Sequence, residues 1–271
     1  MDTKYYSYPK ERFDEGKIRT VCLESSEAVF RAMAEEMART VRENNEKGEK
    51  TVFIVPVGPV GQYPFFAQLA ADWKLSLKNV WLINMDEYLD DSRHWIAKDH
   101  LLSFRGFMDR SLYNVLPQEL NVPASQRIFP DPDAPEKILS IIQELGKVDI
   151  CFGGIGINGH LAFNEAEDVS AEEFAERRTR VIEISRETRT ANAIGDLNGA
   201  IDAMPKYAVT VGMKEILSAR KIRLGVFRPW HRAVVRRALF DSPSGSFPVT
   251  LIQNHPDSLI YVNDVAAGIA F

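Results

Sequence analysis

The chain has 271 residues, 45% of them hydrophobic, with 33 basic against 38 acidic side chains and a formal charge of −5. That balance offers no electrostatic footprint for nucleic acid or for an anionic membrane surface. No apolar run approaches the roughly 20 residues that span a bilayer, and the polar start, MDTKYYSYPKERFDEGK, is unlike a signal peptide, so a cytoplasmic protein is expected.

Residues 19–23 read as a short strand. Ser25 and Ser26 cap a helix in which Ala28, Val29, Ala32, Met33, Met37 and Val41 recur at helical spacing. Residues 51–57, TVFIVPV, form a continuous apolar run that suits a central parallel strand. The glycine-bearing loop 58–64 follows, then a helix expected to turn Phe65, Phe66, Leu69, Ala70 and Trp73 inward. Residues 79–85 are the next strand and run straight into Asp86, Glu87 and Tyr88. Strand period sends Asp86 and Glu87 to opposite faces, so one carboxylate is expected to enter a site above the sheet.

A polar loop over 92–99 leads to a helix expected over 100–116, with Leu101, Leu102, Phe107 and Leu112 buried. Residues 117–135 are proline-rich and aperiodic. A compact helix over 136–145 stops at Gly146. Residues 148–152 are a buried strand, in which Cys151 reads as a small core residue; Cys22 is far from it in sequence, and no CxxC spacing suggests zinc or a redox pair. Beyond that come a charged helix over 170–178, a strand over 180–184, mixed helix and loop over 187–204, a strand over 207–211 and a short helix over 214–219. A strand over 221–227 leads into RPWHR and a helix to Leu239. The segments 249–253 and 258–262 read as the last two strands. This alternation predicts an α/β chain with a Rossmann-like, doubly wound, mostly parallel sheet flanked by helices, and a single domain over 1–271.

The strand at 148–152 ends in Gly153, Gly154, Gly156 and Gly159, followed by Asn158, His160, Asn164 and Glu165. In an open parallel sheet, ligands sit outside the carboxyl ends of the strands. His160 has the side chain that titrates nearest neutrality and suits proton transfer at a sugar ring oxygen. Asp86 or Glu87 suits a base working between adjacent carbons, provided that burial raises its pKa. An imidazole satisfied by a local carboxylate, and an ordinary polar strand end, are the bland alternatives. Residues 154–159 match GxGxxG, with Glu183 at the next strand's end, but His, Asn and Glu follow where that fingerprint needs an apolar helix. The spacing of His160 and Glu165 is not HExxH, so no metal is expected. For an anion, the loop 58–64 at a helix start is one candidate. Arg228, His231 and Arg232 at another strand-to-helix junction are a second, against the alternative of a solvated helix start. The pairs Arg177–Arg178 and Arg236–Arg237 read as surface charge.

Taken together, NMDEY (84–88), GGIGINGHLAFNE (153–165), SRETRTAN (185–192) and PKYAVTVG (205–212) resemble the glucosamine-6-phosphate deaminase (isomerase) family, in order, over about residues 19–262. The resemblance implies a Rossmann-like domain, no redox cofactor, a small-molecule sugar substrate, homo-oligomers, and aldose-to-ketose isomerisation with release of ammonia. It implies that Asp86 moves the proton between C2 and C1, that His160 is the ring-opening acid/base, and that Glu165 is its carboxylate partner, with Asn158 beside them. Substrate contacts are expected at Gly58, Gly61, Glu87, Gly156, His231 and Arg232. The pattern departs from the family where Asn158 replaces Asp, where GPVGQYP replaces a Thr/Gly-rich phosphate loop, where the phosphate-binding lysine falls on His231, and where a phosphate-binding arginine falls near Ile194. A lactone hydrolase of the 6-phosphogluconolactonase kind and a non-catalytic sugar-binding homologue are the alternatives.

Overall fold

A computed structural model describes residues 3–271, and strand and helix alternate along it. In chain order the elements are β1 (Arg19–Leu23), α1 (Ser26–Glu46), β2 (Thr51–Val55), α2 (Gln62–Asp72), β3 (Val80–Asn84), β4 (Asp86–Leu89) and α3 (Phe104–Met108). They continue with β5 (Arg127–Ile128), α4 (Lys137–Leu145), β6 (Ile150–Gly153), α5 (Ala171–Ala175), β7 (Arg180–Glu183) and α6 (Arg186–Asp196). The chain closes through β8 (Tyr207–Thr210), α7 (Met213–Leu217), β9 (Ile222–Val226), α8 (His231–Phe240), β10 (Ser258–Asn263) and α9 (Asp264–Ala267).

Seven strands form a wholly parallel sheet in the order β1-β10-β9-β6-β2-β3-β5. Its two faces are covered because its central strands are apolar on both sides. In β2, Val52 and Ile54 join the layer beneath α4, α7 and α8, while Phe53 and Val55 join the layer beneath α1 and α2. That division follows the two-residue period of an extended chain. Helix α1 begins where the Ser25 hydroxyl accepts from the Ala28 N–H, and it buries Val29, Met33, Met37 and Val41 at four-residue spacing. From β2 the chain builds outward through β3 to β5, then returns to β6 on the other side of β2 and builds outward again. The crevice between the carboxyl ends of β2 and β6 is therefore the switch point of the sheet, where side chains have room above the strands.

Several expectations change. A second, antiparallel sheet of β4-β8-β7 stands at the same end, pairing Asp86 with Thr210 and Arg180 with Thr210. The chain passes from one sheet to the other at Met85, whose N–H donates to Val55 O and whose carbonyl accepts from Val211 N–H. The segment expected as a strand over 249–253 is a 3-10 helix, Pro248–Asn254. The helix expected over 100–116 is shorter, α3 running into a π turn at Asp109–Tyr113. Leu101 precedes it and is 73% exposed rather than buried, and Trp73, at the end of α2, is 37% exposed rather than inward. Arg236, expected on the surface, is fully buried. Its guanidinium donates to the carbonyls of Tyr8, Arg232 and Ala267 and so ties both ends of the chain to α8. No helix among the described residues is long and apolar enough to cross a membrane.

Candidate active site

A cavity of about 310 Å³ opens at the switch point. Its walls come from the loop after β2, the start of β4, the glycine turn after β6, one face of α6 and the turn between β9 and α8. The volume falls at the small end of the range of ligand pockets.

Asp86 and Glu87 leave β3 together and part at once. Asp86 lines the cavity with 6% of its surface exposed, and its carboxyl group has no hydrogen-bond or ion-pair partner among the described residues. Burial, and then the charge of Glu87, push its pKa well above the usual carboxylate range. Glu87 points the other way, fully buried. It accepts from the N–H groups of Tyr88, Phe104 and Arg105, from the Ser103 hydroxyl at 3.0 Å and from Arg105 Nε at 3.1 Å. It is the anchor for the start of α3 and does not reach the cavity, which corrects its expected place among the substrate contacts.

Across the cavity stands His160. After β6 the chain makes turns instead of a helix, with Gly159 at φ +81° and Ala162 at φ +54°. The backbone of Gly156 lies flat on the imidazole: a Cβ there would stand 1.9 Å from His160 Cε1. Asn158 bridges the ring to Glu165. Its Nδ2 donates to Glu165 Oε2 at 2.6 Å, and because a carboxylate only accepts, its carbonyl must face the ring, with Oδ1 2.7 Å from His160 Nδ1. That orientation makes Nδ1 the protonated nitrogen of the neutral imidazole. Nε2 has no partner among the described residues and keeps its lone pair. Burial lowers the pKa of His160, while Glu165, 3.8 Å away, opposes the shift. Glu165 also accepts from the Thr188 hydroxyl at 3.1 Å and the Ser185 N–H at 3.3 Å.

Sequence reasoning named SRETRTAN only as a motif and missed what it does. Thr188, Asn192 and Asp196 stand at four-residue spacing along one face of α6. Thr188 touches Glu165 and, at 3.3 Å, His160 Nδ1; Asn192 donates to the Tyr88 hydroxyl at 3.1 Å; Asp196 stands 3.9 Å from Arg228. The four-residue repeat of polar side chains was the available signal.

The expected anion contacts fare differently. Gly58 and Gly61 do line the cavity, and the loop between β2 and α2 is fixed by the Tyr63 hydroxyl, which donates to Pro56 O. His231 is buried at the cavity wall with both nitrogens engaged. Nδ1 accepts from the N–H groups of Phe227 and Arg228, and Nε2 donates to Ile155 O at 2.9 Å. Burial holds its pKa down at about 3, so it is a neutral clasp between two loops and offers no charge to an anion. Arg232 donates to Val265 O and lines a separate surface hollow beside Phe247 and Phe271. Arg228 is the one guanidinium on the wall of the cavity among the described residues.

No protein-family model matches the chain. A glucosamine-6-phosphate deaminase of Vibrio cholerae is 28% identical over 253 residues, 91% of each chain. One of Clostridium perfringens is 27% identical over 258 residues, 92% of this chain and 98% of the relative. Among solved structures, a monomeric glucosamine-6-phosphate deaminase described as a missing link of the NagB superfamily superposes with a TM-score of 0.79 at 26% identity, over 92% of this chain and 99% of that one. A 6-phosphogluconolactonase from Shewanella baltica shares the fold, with a TM-score of 0.65 at 17% identity over 91% of this chain and 97% of its own.

Proposed function

We propose that the chain belongs to the glucosamine-6-phosphate deaminase family and that residues 1–271 act as one domain that isomerises and deaminates an amino sugar. The overall conversion takes a 2-amino-2-deoxyaldose and water to a ketose and ammonia. Glucosamine 6-phosphate, giving fructose 6-phosphate, is the substrate carried by the relatives' name; a close analogue with altered anion recognition is the other form of the same reading.

The observation that carries the proposal is an unpartnered buried carboxyl, Asp86, lining the same cavity as an imidazole whose tautomer is fixed. In the proposed sequence, His160 Nε2 takes the proton from the anomeric hydroxyl and returns it to the ring oxygen, opening the sugar. The bond between Asn158 and Nδ1 keeps Nε2 free for this step, and Glu165 offsets the positive charge that appears transiently on the ring. Asp86, ionised, takes the proton from C2 as the C2–H electron pair forms the C1–C2 double bond and the aldehyde electrons move to O1, which takes a proton from the substrate's own ammonium group. Asp86 then gives its proton to C1, and the amine lone pair forms the C2 iminium. The resulting C2 iminium adds water and expels ammonia. Raised by burial, the pKa of Asp86 moves toward the working pH, where a general base is most effective.

A panel of free and phosphorylated amino sugars, assayed for ammonia, tests this reading, with a phosphogluconolactone assayed for hydrolysis alongside. Ammonia release from at least one amino sugar is expected. Lactone hydrolysis without ammonia release would refute it in favour of the hydrolase.

A further inference from the structure

The cavity that holds Asp86 and His160 is poor in positively charged side chains. Its lining holds one guanidinium, Arg228, against two carboxyl groups, Asp86 and Asp196, and contains no lysine, serine or threonine among the described residues. Both nitrogens of His231 are engaged, and Arg232 lies in another hollow. The loop after β2 presents Pro56, Val57, Pro59 and Val60 to the cavity, with Phe227 nearby. Arg228 Nη2 lies 3.9 Å from Asp196 Oδ1, with both side chains partly exposed.

A phosphate monoester carries a charge of about −1.5 to −2 and only accepts hydrogen bonds. To enter here it would have to displace Asp196 from Arg228 or stand beside it, and a like charge so placed opposes binding. A hydroxyl group both donates and accepts. It can therefore use Asp196 and Arg228 together while the aromatic and proline surfaces cover the apolar face of a sugar ring. We propose that the substrate's end remote from C1 and C2 is uncharged: the site takes a free amino sugar in preference to its phosphate ester, with Asp196 as the specificity-determining residue that discriminates against the phosphate. This rests on the amino-sugar reading above and specifies its substrate class.

The test separates the two. Isothermal titration of the full chain carrying Asp86→Asn, with glucosamine and with glucosamine 6-phosphate, measures recognition without turnover. Glucosamine is expected to bind at least about tenfold more tightly, the smallest discrimination expected of a misplaced like charge. Asp196→Asn, made in the same background, is expected to tighten glucosamine 6-phosphate several-fold and to leave glucosamine no tighter. Equal or tighter binding of the phosphate ester with Asp196 in place, or binding of neither sugar, would overturn the inference. Ammonia release by the wild-type chain is then read independently. Release from the phosphate ester with a higher kcat/KM than from glucosamine keeps the reaction and removes the inference. Preferential binding of glucosamine with no ammonia from either keeps the inference and removes the reaction.

Discussion

Asn158 holds His160 and Glu165 apart and joined: its amide group donates to Glu165 Oε2 at 2.6 Å and its carbonyl oxygen lies 2.7 Å from His160 Nδ1. A neutral side chain, at a position where the family resemblance implies an aspartate, therefore fixes the imidazole's tautomer but adds no negative charge beside it. Asn158→Asp would add that charge. The imidazolium would be stabilised, and the pKa of His160 would rise from its lowered position. The acid limb of the kcat/KM profile, where neutral imidazole is lost, is expected to move to higher pH. Titration of the His160 ring proton resonances checks the direction.

Gly156 and His160 are in such close contact that any side chain at 156 must move the ring. Gly156→Ala is expected to lower kcat/KM by about 100-fold or more, the cost of displacing a catalytic group by about 1 Å. Circular dichroism and thermal melting of the variant should show a folded chain. Activity close to wild type would show that the position of His160 is not critical.

Asp86 trades stability for reactivity. Folded, this carboxyl holds its proton to higher pH than it does in the unfolded chain, so stability is lost as pH rises from the usual carboxylate range through its raised value. An asparagine in its place never ionises and escapes that loss. Asp86→Asn is expected to melt higher than wild type near neutral pH, by about 2–4 °C if about 1 kcal/mol is recovered in a chain of this size. The difference should vanish at acid pH, where Asp86 is protonated in both states. Calorimetry at two pH values measures it.

Glu87 predicts the opposite balance. It is fully buried and satisfied by Arg105, Ser103 and three backbone N–H groups at the start of α3. Glu87→Ala would leave those donors and the Arg105 charge without their acceptor, and is expected to cost about 3–5 kcal/mol. Urea denaturation reads the loss directly. Glu87→Gln, which keeps an acceptor oxygen, should lose less.

Much of this arrangement is legible in the amino-acid sequence. The continuous apolar run in β2 and the glycine turn after β6 specify a central parallel sheet and a crevice above it, and the alternation of a strand separates Asp86 from Glu87. The antiparallel sheet was not legible as a separate layer, because β4, β7 and β8 are short and pair across long sequence separations, such as Asp86 with Thr210. Residues 249–253, VTLIQ, look like a strand because a run buried on many sides has no period to distinguish strand from helix. The roles of Arg236 and His231 were hidden for a different reason. Their partners are backbone carbonyls and N–H groups of remote segments, Tyr8, Ala267 and Ile155 among them, and main-chain groups leave no mark on a sequence. Thr188 lies in a stretch whose polar side chains recur every four residues, but the pattern alone does not say which face of α6 meets His160.

The most direct test of the central claim is turnover of an amino sugar in deuterium oxide by the wild-type chain and by Asp86→Asn, with ammonia and deuterium at C1 of the ketose measured together. The wild type is expected to release ammonia and to deliver some solvent deuterium to C1, because the proton on Asp86 exchanges between its capture from C2 and its return. Asp86→Asn should bind the sugar and do neither. Ammonia release by that variant within about twofold of wild type, a change far below the 10²–10⁴-fold that a general base contributes, would contradict the account.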